Sequence, residues 1–258
     1  MRIVVLVKEV PDTYGDRTLS LETGLAERGT SDNVVDEIGA RALEVALAYA
    51  EAHDGTEVHV LTVGPEAAAA SIRKCLAMGA HAATHVVDDG LVGADLGLTA
   101  EVLAAALGRV GFDLVITGNQ STDGMGGVLP AMLAELLDVP NVTNLDAVTI
   151  GESEVSGTRA SDDAMVQVTA PLPAVLSVTE ALPDPRFPNF KGIMAAKKKP
   201  LDVLSLADLG IDADDLSASR SIMLAIGARP PRSAGVKITD EGDAGVKLAA
   251  FLAQNHLI

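Results

Sequence analysis

The sequence predicts an α/β fold with an open, mostly parallel sheet flanked by helices, and three observations support this prediction. Short, valine-rich apolar runs recur at 2–10, 57–64 and 113–118, as expected for strands that are buried on both faces. The stretches between these runs show the helical spacing of apolar residues. The chain has 258 residues, of which 48% are hydrophobic, so it can bury a substantial core.

Three helices are predicted between and after these strands. Apolar residues recur at helical spacing over 35–49, 68–76 and 98–107. The second helix has a clear start and stop, because Pro65 is tolerated in a first helical turn and Gly79 follows the last turn. Strands that alternate with helices through short connections indicate a Rossmann-like arrangement.

After residue 140 the pattern changes. The segment 141–170 contains runs that alternate polar and apolar residues with period two, separated by the turn signals GES and SDD. This pattern predicts a small antiparallel excursion. The run LPAVLSVT at 172–179 predicts a last buried strand, so we expect residues 1–219 to form one α/β domain.

Residues 220–258 are predicted to form an extended C-terminal arm. Pro230 and Pro231 exclude both a helix and a central strand at their position. The periodic structure expected in this segment is a short amphipathic helix around 246–252. An arm of this kind lies on something else instead of closing a core of its own.

The charge of the chain excludes one class of function. Its 36 acidic residues outnumber 19 lysines and arginines, which gives a formal net charge of −17. Such a surface repels phosphate backbones, so no nucleic-acid partner is expected. The same composition suits a protein kept soluble in strong brine, a habitat that the sequence leaves open.

No catalytic or metal-binding set is recognisable in the sequence. The Walker A and G-x-G-x-x-G patterns do not occur, and the five histidines never pair at ligand spacing. The single cysteine, Cys75, lies on the apolar face of a predicted helix, where a buried, inert thiol is expected. Without a signal core or a run of roughly 18–20 apolar residues, a cytoplasmic location and no direct membrane insertion are expected.

One glycine-rich loop lies where ligands of open α/β sheets bind. The segment GNQSTDGMGG at 118–127 follows a predicted strand and precedes the predicted helix LPAMLAELL, which places it at the carboxyl edge of the sheet. Glycines let backbone N–H groups approach a phosphate, and a helix start adds a partial positive charge. A nucleotide site is one interpretation, and a simple strand-to-helix turn is the other.

A basic, aromatic segment at 180–200 stands out from the acidic chain. The stretch LPDPRFPNFKG contains three prolines, two of the four phenylalanines (Phe187 and Phe190), Arg186 and Lys191, and lysines 197–199 follow it. Exposed aromatic residues flanked by arginine are typical of a protein–protein hot spot, and a basic run beside them would steer an acidic partner. The alternative is a loop that folds back onto its own core with solvated lysines.

Several motifs resemble one family in sequence order. These motifs are VKEVPDT near the N-terminus, DEIGARALEVAL at 36–47, IRKCLAMGA at 72–80, PRFPNFKGIMAAKKKP at 185–200 and RPPRSAGVK in the tail. Together they resemble the β subunit of an electron-transfer flavoprotein over essentially the whole chain. The combination of the last two motifs is the most specific part of this resemblance.

The resemblance implies a heterodimer with an α subunit. One FAD would be held mainly by the α subunit, with its isoalloxazine near this chain, and this chain would also bury a structural AMP. Electrons would arrive from flavin dehydrogenases, such as acyl-CoA dehydrogenases, and pass to a membrane quinone reductase. The chain would be an electron-carrier subunit without catalytic residues of its own.

The resemblance also implies two sets of site residues. The AMP-binding positions of the family fall on Leu6, Asn33, Val34, Val35, Asp36, Val63, Gly118, Gln120, Asp123, Gly124, Met125, Gly126, Gly127, Val128 and Leu129. The partner-binding positions fall on Arg186, Phe187, Phe190, Lys191, Lys197, Lys198 and Lys199. Phe190 occupies the place of the family's apolar anchor, and the last three lysines are expected to form a solvated patch or to support the FAD-side interface.

The sequence departs from the usual AMP-binding pattern in one place. The common pattern D-x-x-x-N-Q-T-G is replaced after Asp123 by GMGGVLP, which leaves backbone donors to hold the phosphate. Electron-bifurcating members, whose β subunit holds a second FAD, have D-G-D-T-A-Q-V-G-P, of which only D-G matches. A second FAD and a free-standing adenine-nucleotide-binding signalling domain therefore remain as alternatives.

Overall fold

The structure is a computed structural model that describes residues 1–215, 217–218, 220–232 and 234–258. The chain divides into two compact units, Met1–Leu224 and Ala225–Ile258. The predicted start of the arm falls after residue 219, which lies outside the described residues.

The first unit alternates strands and helices. Its strands are β1 (Arg2–Leu6), β2 (Glu9–Pro11), β3 (Asn33–Val35), β4 (Glu57–Val63), β5 (Ala82–Val86), β6 (Leu114–Gly118), β7 (Asn141–Leu145), β8 (Ala147–Ile150), β9 (Glu154–Ala160), β10 (Met165–Pro171), β11 (Ala174–Val178) and β12 (Leu201–Leu204). Its helices are α1 (Glu37–Ala52), α2 (Ala69–Met78), α3 (Leu96–Val110), α4 (Leu129–Leu137), α5 (Phe190–Ala196) and α6 (Leu206–Leu209).

The centre of this unit is a 7-stranded sheet in the order β12-β5-β4-β1-β6-β11-β7. Every pair of neighbouring strands in it is parallel. The predicted α/β class and its Rossmann-like arrangement are therefore confirmed. The predicted runs at 2–10, 57–64 and 113–118 contain the three central strands, β1, β4 and β6.

The alternation of side chains in β1 explains how helices cover both faces of the sheet. Ile3 and Val5 point to one face, where they join the core formed with α1 and α2. Val4 and Leu6 point to the other face, where they pack with residues of α3 and α4. Because both faces are covered, the residues of the central strands are mostly apolar.

The strand order reverses beside β1. From β1 the chain moves outward through α1 and α2 to β4 and β5, and then returns through α3 to β6 on the other side of β1. The loops that follow β1 and β6 thus leave the carboxyl edge of the sheet side by side. In open α/β sheets this reversal point is where ligands bind.

Two parts of the first unit differ from the sequence-based predictions. Residues 141–145 were expected in the antiparallel excursion, but they form β7 and pair in parallel with β11. The antiparallel sheet contains only β10, β9 and β8, in that order. The run 172–179 was expected to hold the last strand, but the segment after 180 contains α5, β12 and α6, of which β12 extends the central sheet beside β5.

The second unit contains one helix in its described part, α7 (Ala244–Gln254), close to the predicted position. None of the residues of α7 is buried within the chain, and Val246 and Leu248 are exposed. Around Pro230 and Pro231 the described residues have no regular secondary structure, as proline requires.

Candidate functional site

The first part of the site is a junction between the loops that follow β1 and β6. Asp36 is the N-cap of α1, and its Oδ1 accepts from the backbone N–H groups of Ile38 at 3.0 Å and Gly39 at 3.4 Å. Its Oδ2 accepts from the backbone N–H of Thr122 at 2.7 Å and from the Thr122 hydroxyl at 2.8 Å. One buried carboxylate therefore fixes the start of α1 to the glycine-rich loop.

The second part is an ion-pair cluster around Asp123. Its Oδ1 lies 2.8 Å from Lys8 Nζ and its Oδ2 lies 3.1 Å from an Arg28 guanidinium nitrogen. Burial acts to raise the pKa of Asp123, but hydrogen bonds from Lys8 and Ser121, with the charges of Lys8 and Arg28, lower it to about 2. The Asp123 side chain is only 8% exposed, so this carboxylate is a structural anion that holds the loop in place.

The third part is the backbone after Asp123. Met125 and Gly127 have φ angles of 51° and 68°, in the left-handed region that glycine adopts without strain. The loop then enters α4, whose N-cap Val128 offers no side-chain hydrogen bond. Among the described residues, no acceptor faces the N–H groups of Gly126, Gly127, Val128 or Leu129. The loop thus presents free donors at a helix N-terminus.

A buried acceptor without a donor lies beside this loop. Asn119 directly follows β6, and its backbone N–H donates to the backbone carbonyl of Val178 at 2.8 Å. Its Oδ1 is buried and has no hydrogen-bond partner within the described part of the chain. An unpaired buried amide oxygen is costly, which favours a ligand donor at this position.

The structure brings most of the predicted nucleotide-binding positions to this edge. Val35 and Asp36 meet the loop 118–129 through Asp36, and Leu6 and Val63 lie at the ends of the adjacent strands β1 and β4. Asn33 and Val34 belong to β3, which pairs with β2 in a separate small sheet, and Asn33 is exposed. Gln120 is half-buried.

The sequence did not predict the contacts of four residues at this junction, Lys8, Arg28, Asn119 and Thr122, of which the last two lie inside the predicted range 118–129. Lys8 lies within the quoted motif VKEVPDT and Asn119 and Thr122 within the quoted loop. Their positions were therefore visible, but the contacts of Lys8 with Asp123, of Thr122 with Asp36 and of Asn119 with Val178 depend on tertiary structure. Arg28 gave no signal, since it lies in an irregular segment 95 residues away from Asp123.

Part of the predicted partner-binding set lies on a separate surface of the first unit. Phe187 and Phe190 are 91% and 79% exposed. Ile193 and Met194, one turn further along α5, are also exposed. Asn189 caps α5, with its side chain accepting from the N–H of Gly192 at 2.8 Å. The two phenylalanines therefore project from an ordered segment instead of packing on the core.

The basic residues of this segment fall into two groups. Lys191, Lys197 and Lys198 are exposed. Lys199 differs, because its Nζ donates to the backbone carbonyls of Leu76 at 2.8 Å and Ala80 at 2.6 Å, at the end of α2. Of the two expectations for lysines 197–199, the solvated patch is wrong for Lys199, which caps a helix C-terminus and whose pKa is lowered by burial, while support for the FAD-side interface stays a prediction.

Arg186 also points inward. Its guanidinium contacts the carboxylates of Glu44 and Glu51, both on α1, and the pair with Glu44 has an N–O distance of 2.8 Å. Hydrogen bonds to Glu44 first, and then to Glu51, raise the pKa of Arg186 above its ordinary value. The predicted partner-binding side chain of Arg186 is thus occupied within the chain.

Outside these two regions, the described residues show neither a reactive cysteine nor a cluster of potential metal ligands. Cys75 is fully buried in α2, and burial raises the pKa of its thiol to about 12, as expected for an inert cysteine. No group of three or more potential metal ligands occurs among the described residues. Within the same residues, no helix combines the length and the apolar character needed to cross a bilayer.

Comparison with known proteins defines the class of this fold and site. The sequence matches the electron transfer flavoprotein domain family over residues 24–209, a range that contains the glycine-rich loop and the exposed phenylalanines. The chain belongs to the electron transfer flavoprotein family.

Within this family the similarity is to β subunits. The chain is 47% identical to the electron transfer flavoprotein subunit beta of Mycobacterium tuberculosis, over 99% of each chain. It is 33% identical to the corresponding subunit of Bacillus subtilis, over 83% of each chain. It is also 32% identical to the caffeyl-CoA reductase–Etf complex subunit CarD of Acetobacterium woodii, over the full length of both chains.

Proposed function

We propose that this chain is the β subunit of a heterodimeric electron-transfer flavoprotein. The heterodimer accepts electrons from flavin dehydrogenases, such as acyl-CoA dehydrogenases, and passes them through FAD to a membrane quinone reductase. The α subunit holds most of the FAD, and the chain works in the cytoplasm. The observation that carries this proposal is the exposure of Phe187 and Phe190 on an ordered segment of a protein with only four phenylalanines.

The junction of the two loops supports a structural AMP. Free N–H groups at Gly126 to Leu129 would hold the phosphate in place of the side-chain donors that the sequence lacks. The unpaired Oδ1 of Asn119 would accept from the nucleoside. Asp123 would act through the shape of the loop, because Lys8 and Arg28 already bind its carboxylate. The AMP would supply no redox chemistry and would stabilise the folded heterodimer.

The residues from 220 onward support an interface with the α subunit. The unit Ala225–Ile258 has exposed apolar side chains in α7, including Val246 and Leu248, and no buried residue among those described. A segment that buries so little within its own unit is suited to order against a partner. We therefore assign this segment to the heterodimer.

A second candidate is a β subunit of the electron-bifurcating type, with a second FAD in place of AMP. The similarity to CarD, whose name describes a subunit of a caffeyl-CoA reductase–Etf complex, favours it, as does the pair Asp123–Gly124. The following GMGG segment does not match that type and favours AMP. A free-standing signalling domain is the third possibility, and it would bind nucleotide without ever being yellow.

A salt series tests the docking surface. Phe190→Ala in the reconstituted heterodimer is expected to slow flavin reduction by an acyl-CoA dehydrogenase at every salt concentration, because burying a phenylalanine contributes roughly 1.5–3 kcal/mol. The double variant Lys197→Gln/Lys198→Gln is expected to slow it mainly at low salt, since charge steering is screened. Lys199 is left unchanged because it caps α2.

Stopped-flow measurement of flavin reduction distinguishes these effects. A matched control is Tyr14→Ala, which removes a fully exposed aromatic ring from a part of the first unit outside residues 180–200 and should leave the dehydrogenase reaction unchanged. An unaltered rate for Phe190→Ala, with heterodimer and FAD intact, would show that residues 180–200 are not the docking surface.

A further inference from the structure

The segment that presents the two exposed phenylalanines is attached to α1 by ionic contacts on its inner side. Arg186 donates from Nε to Glu44 at 2.9 and 3.1 Å, and from another guanidinium nitrogen to Glu44 at 2.8 Å. The same guanidinium donates to both carboxylate oxygens of Glu51, which lies two helical turns after Glu44 on α1. The backbone N–H of Arg186 also donates to Glu44, at 3.0 Å. A planar fork held by two carboxylates fixes both the side chain and its backbone.

A second arginine continues this attachment. Arg41, one turn before Glu44 on α1, donates to the backbone carbonyl of Leu182 and to Asp184 Oδ1, the latter at 2.6 Å. Residues 182–186 thus lie along one face of α1, held at both ends. The contrast in exposure is large, since the side chains of Arg186 and Glu44 are 30% and 19% exposed, whereas the adjacent Phe187 is 91% exposed. The Arg186–Glu44 pair is turned towards α1, whereas the aromatic rings face outward.

We propose that Arg186 and Glu44 are positioning residues for electron-transfer docking, which hold Phe187 and Phe190 in the orientation that a dehydrogenase binds. This inference rests on the proposed docking role of residues 180–200. Arg186 acts through the segment and makes no contact with the partner itself. The contacts of Arg186 with Glu44 and Glu51 are called the clamp. Because Arg186 lies beside Phe187 and four residues before Phe190, the clamp can orient both rings.

Fixing the segment to α1 strengthens docking because the segment is pre-organised before the partner binds. A loop that is free before binding loses conformational freedom when a partner orders it, and this loss weakens the complex. A loop already fixed to a helix does not incur this cost at the moment of docking. Removing the clamp should therefore weaken association without altering the flavin chemistry, because the FAD is untouched.

Four variants of the complete heterodimer test this inference. They are Arg186→Met, Glu44→Gln, Phe190→Ala and the double variant Arg186→Met/Phe190→Ala, each assayed as electron acceptor for a purified acyl-CoA dehydrogenase with its acyl-CoA substrate. Arg186→Met and Glu44→Gln are each expected to raise the KM for the heterodimer roughly three- to tenfold, with kcat unchanged. Hydrogen exchange over residues 182–196 should become faster in both.

The double variant separates positioning from direct contact. If Arg186 acts by orienting Phe187 and Phe190, the KM increase of the double variant should be smaller than the product of the two single increases, because one of the two rings that Arg186 orients is already absent. Additive effects would mean that Arg186 contacts the dehydrogenase, and would overturn the inference. An unchanged KM for Arg186→Met together with faster hydrogen exchange would overturn it as well.

Two comparisons make failure interpretable. Glu57→Gln removes the exposed pair with Arg2 on the far strand β4 and should leave KM and exchange over 182–196 unchanged. If Phe190→Ala itself has no effect, the docking role of residues 180–200 fails. If Phe190→Ala raises the KM and both Arg186→Met and Glu44→Gln fold but leave it unchanged, only the positioning role fails.

Discussion

Replacing Gly192 with alanine is expected to displace α5 and to raise the KM of a dehydrogenase for the heterodimer tenfold or more. A Cβ atom at Gly192 would overlap the backbone carbonyl oxygen of Ala77, at the end of α2. Backbone cannot move aside as a flexible side chain can, so the helix itself must shift. Overpacking of this kind costs about 1–3 kcal/mol, and the shift moves Phe190 and its neighbours away from their docking orientation.

A second glycine provides a matched control of opposite sign. Gly108 lies inside α3, and a Cβ atom there would meet nothing within 4 Å. Gly108→Ala should therefore stabilise the protein by roughly 0.5–1 kcal/mol through helix propensity, and it should leave the dehydrogenase KM unchanged. Steady-state kinetics and thermal unfolding of both variants check this. A Gly192→Ala variant with normal KM would mean that the contact between α2 and α5 does not position the docking segment.

Asp123→Asn is expected to have the largest effect on stability at the nucleotide site. The change leaves Lys8 and Arg28 beside a neutral amide in a site where the carboxylate is 8% exposed. The pKa of Asp123 falls from 3.8 to about 2 on folding, which corresponds to about 2 kcal/mol of stability at neutral pH. For a protein of this size, that loss lowers Tm by about 4–8 °C.

The stabilisation that Asp123 contributes should depend on pH. Because the pKa of Asp123 is lower in the folded than in the unfolded state, its contribution is fully present above the unfolded value of 3.8 and is lost as pH falls towards about 2. The difference in Tm between the parent protein and Asp123→Asn should therefore shrink between about pH 5 and pH 2. Thermal unfolding of the heterodimer across this range measures it.

The exposed pair of Arg2 and Glu57 is the control for Asp123. Its side chains are 47% and 61% exposed, so Glu57→Gln should change stability by less than about 1 kcal/mol. We also expect Asp123→Asn to lower the nucleotide content of the purified heterodimer, since the loop that presents the free N–H groups loses its anchor. An Asp123→Asn variant as stable as the parent protein at pH 7 would show that the ion pairs of Asp123 with Lys8 and Arg28 do not stabilise the fold.

The central strands could be predicted from the sequence because burial on both faces leaves a continuous apolar run, as in residues 2–6 and 114–118. The strand β7 could not, because its residues alternate in the pattern NVTNL, which is typical of a half-exposed strand. That strand lies at the edge of the sheet beside β11, where one side is less covered. The local alternation of polar and apolar residues indicates which side chains are buried, but it does not indicate which strand lies alongside.

The candidate site could likewise be predicted only in part from the sequence. The glycine-rich loop and the exposed phenylalanines could be found from sequence, since glycine and proline restrict the local backbone directly. The inward orientation of Arg186 and Lys199 could not, because it depends on helices more than 100 residues away. Basic side chains in a motif indicated a charged partner, and the nearest carboxylates and carbonyls proved to belong to α1 and α2.

The nucleotide content of the chain purified together with its α subunit tests the proposed electron-carrier function and the proposed AMP site in one measurement. The complex should be yellow, and denaturation should release one FAD and one AMP per heterodimer, separated by chromatography and identified by mass and absorbance. The chain purified alone should be colourless. Release of two FAD and no AMP would contradict the AMP assignment, and a colourless complex, or the absence of any complex with the α subunit, would contradict the proposed electron-carrier function.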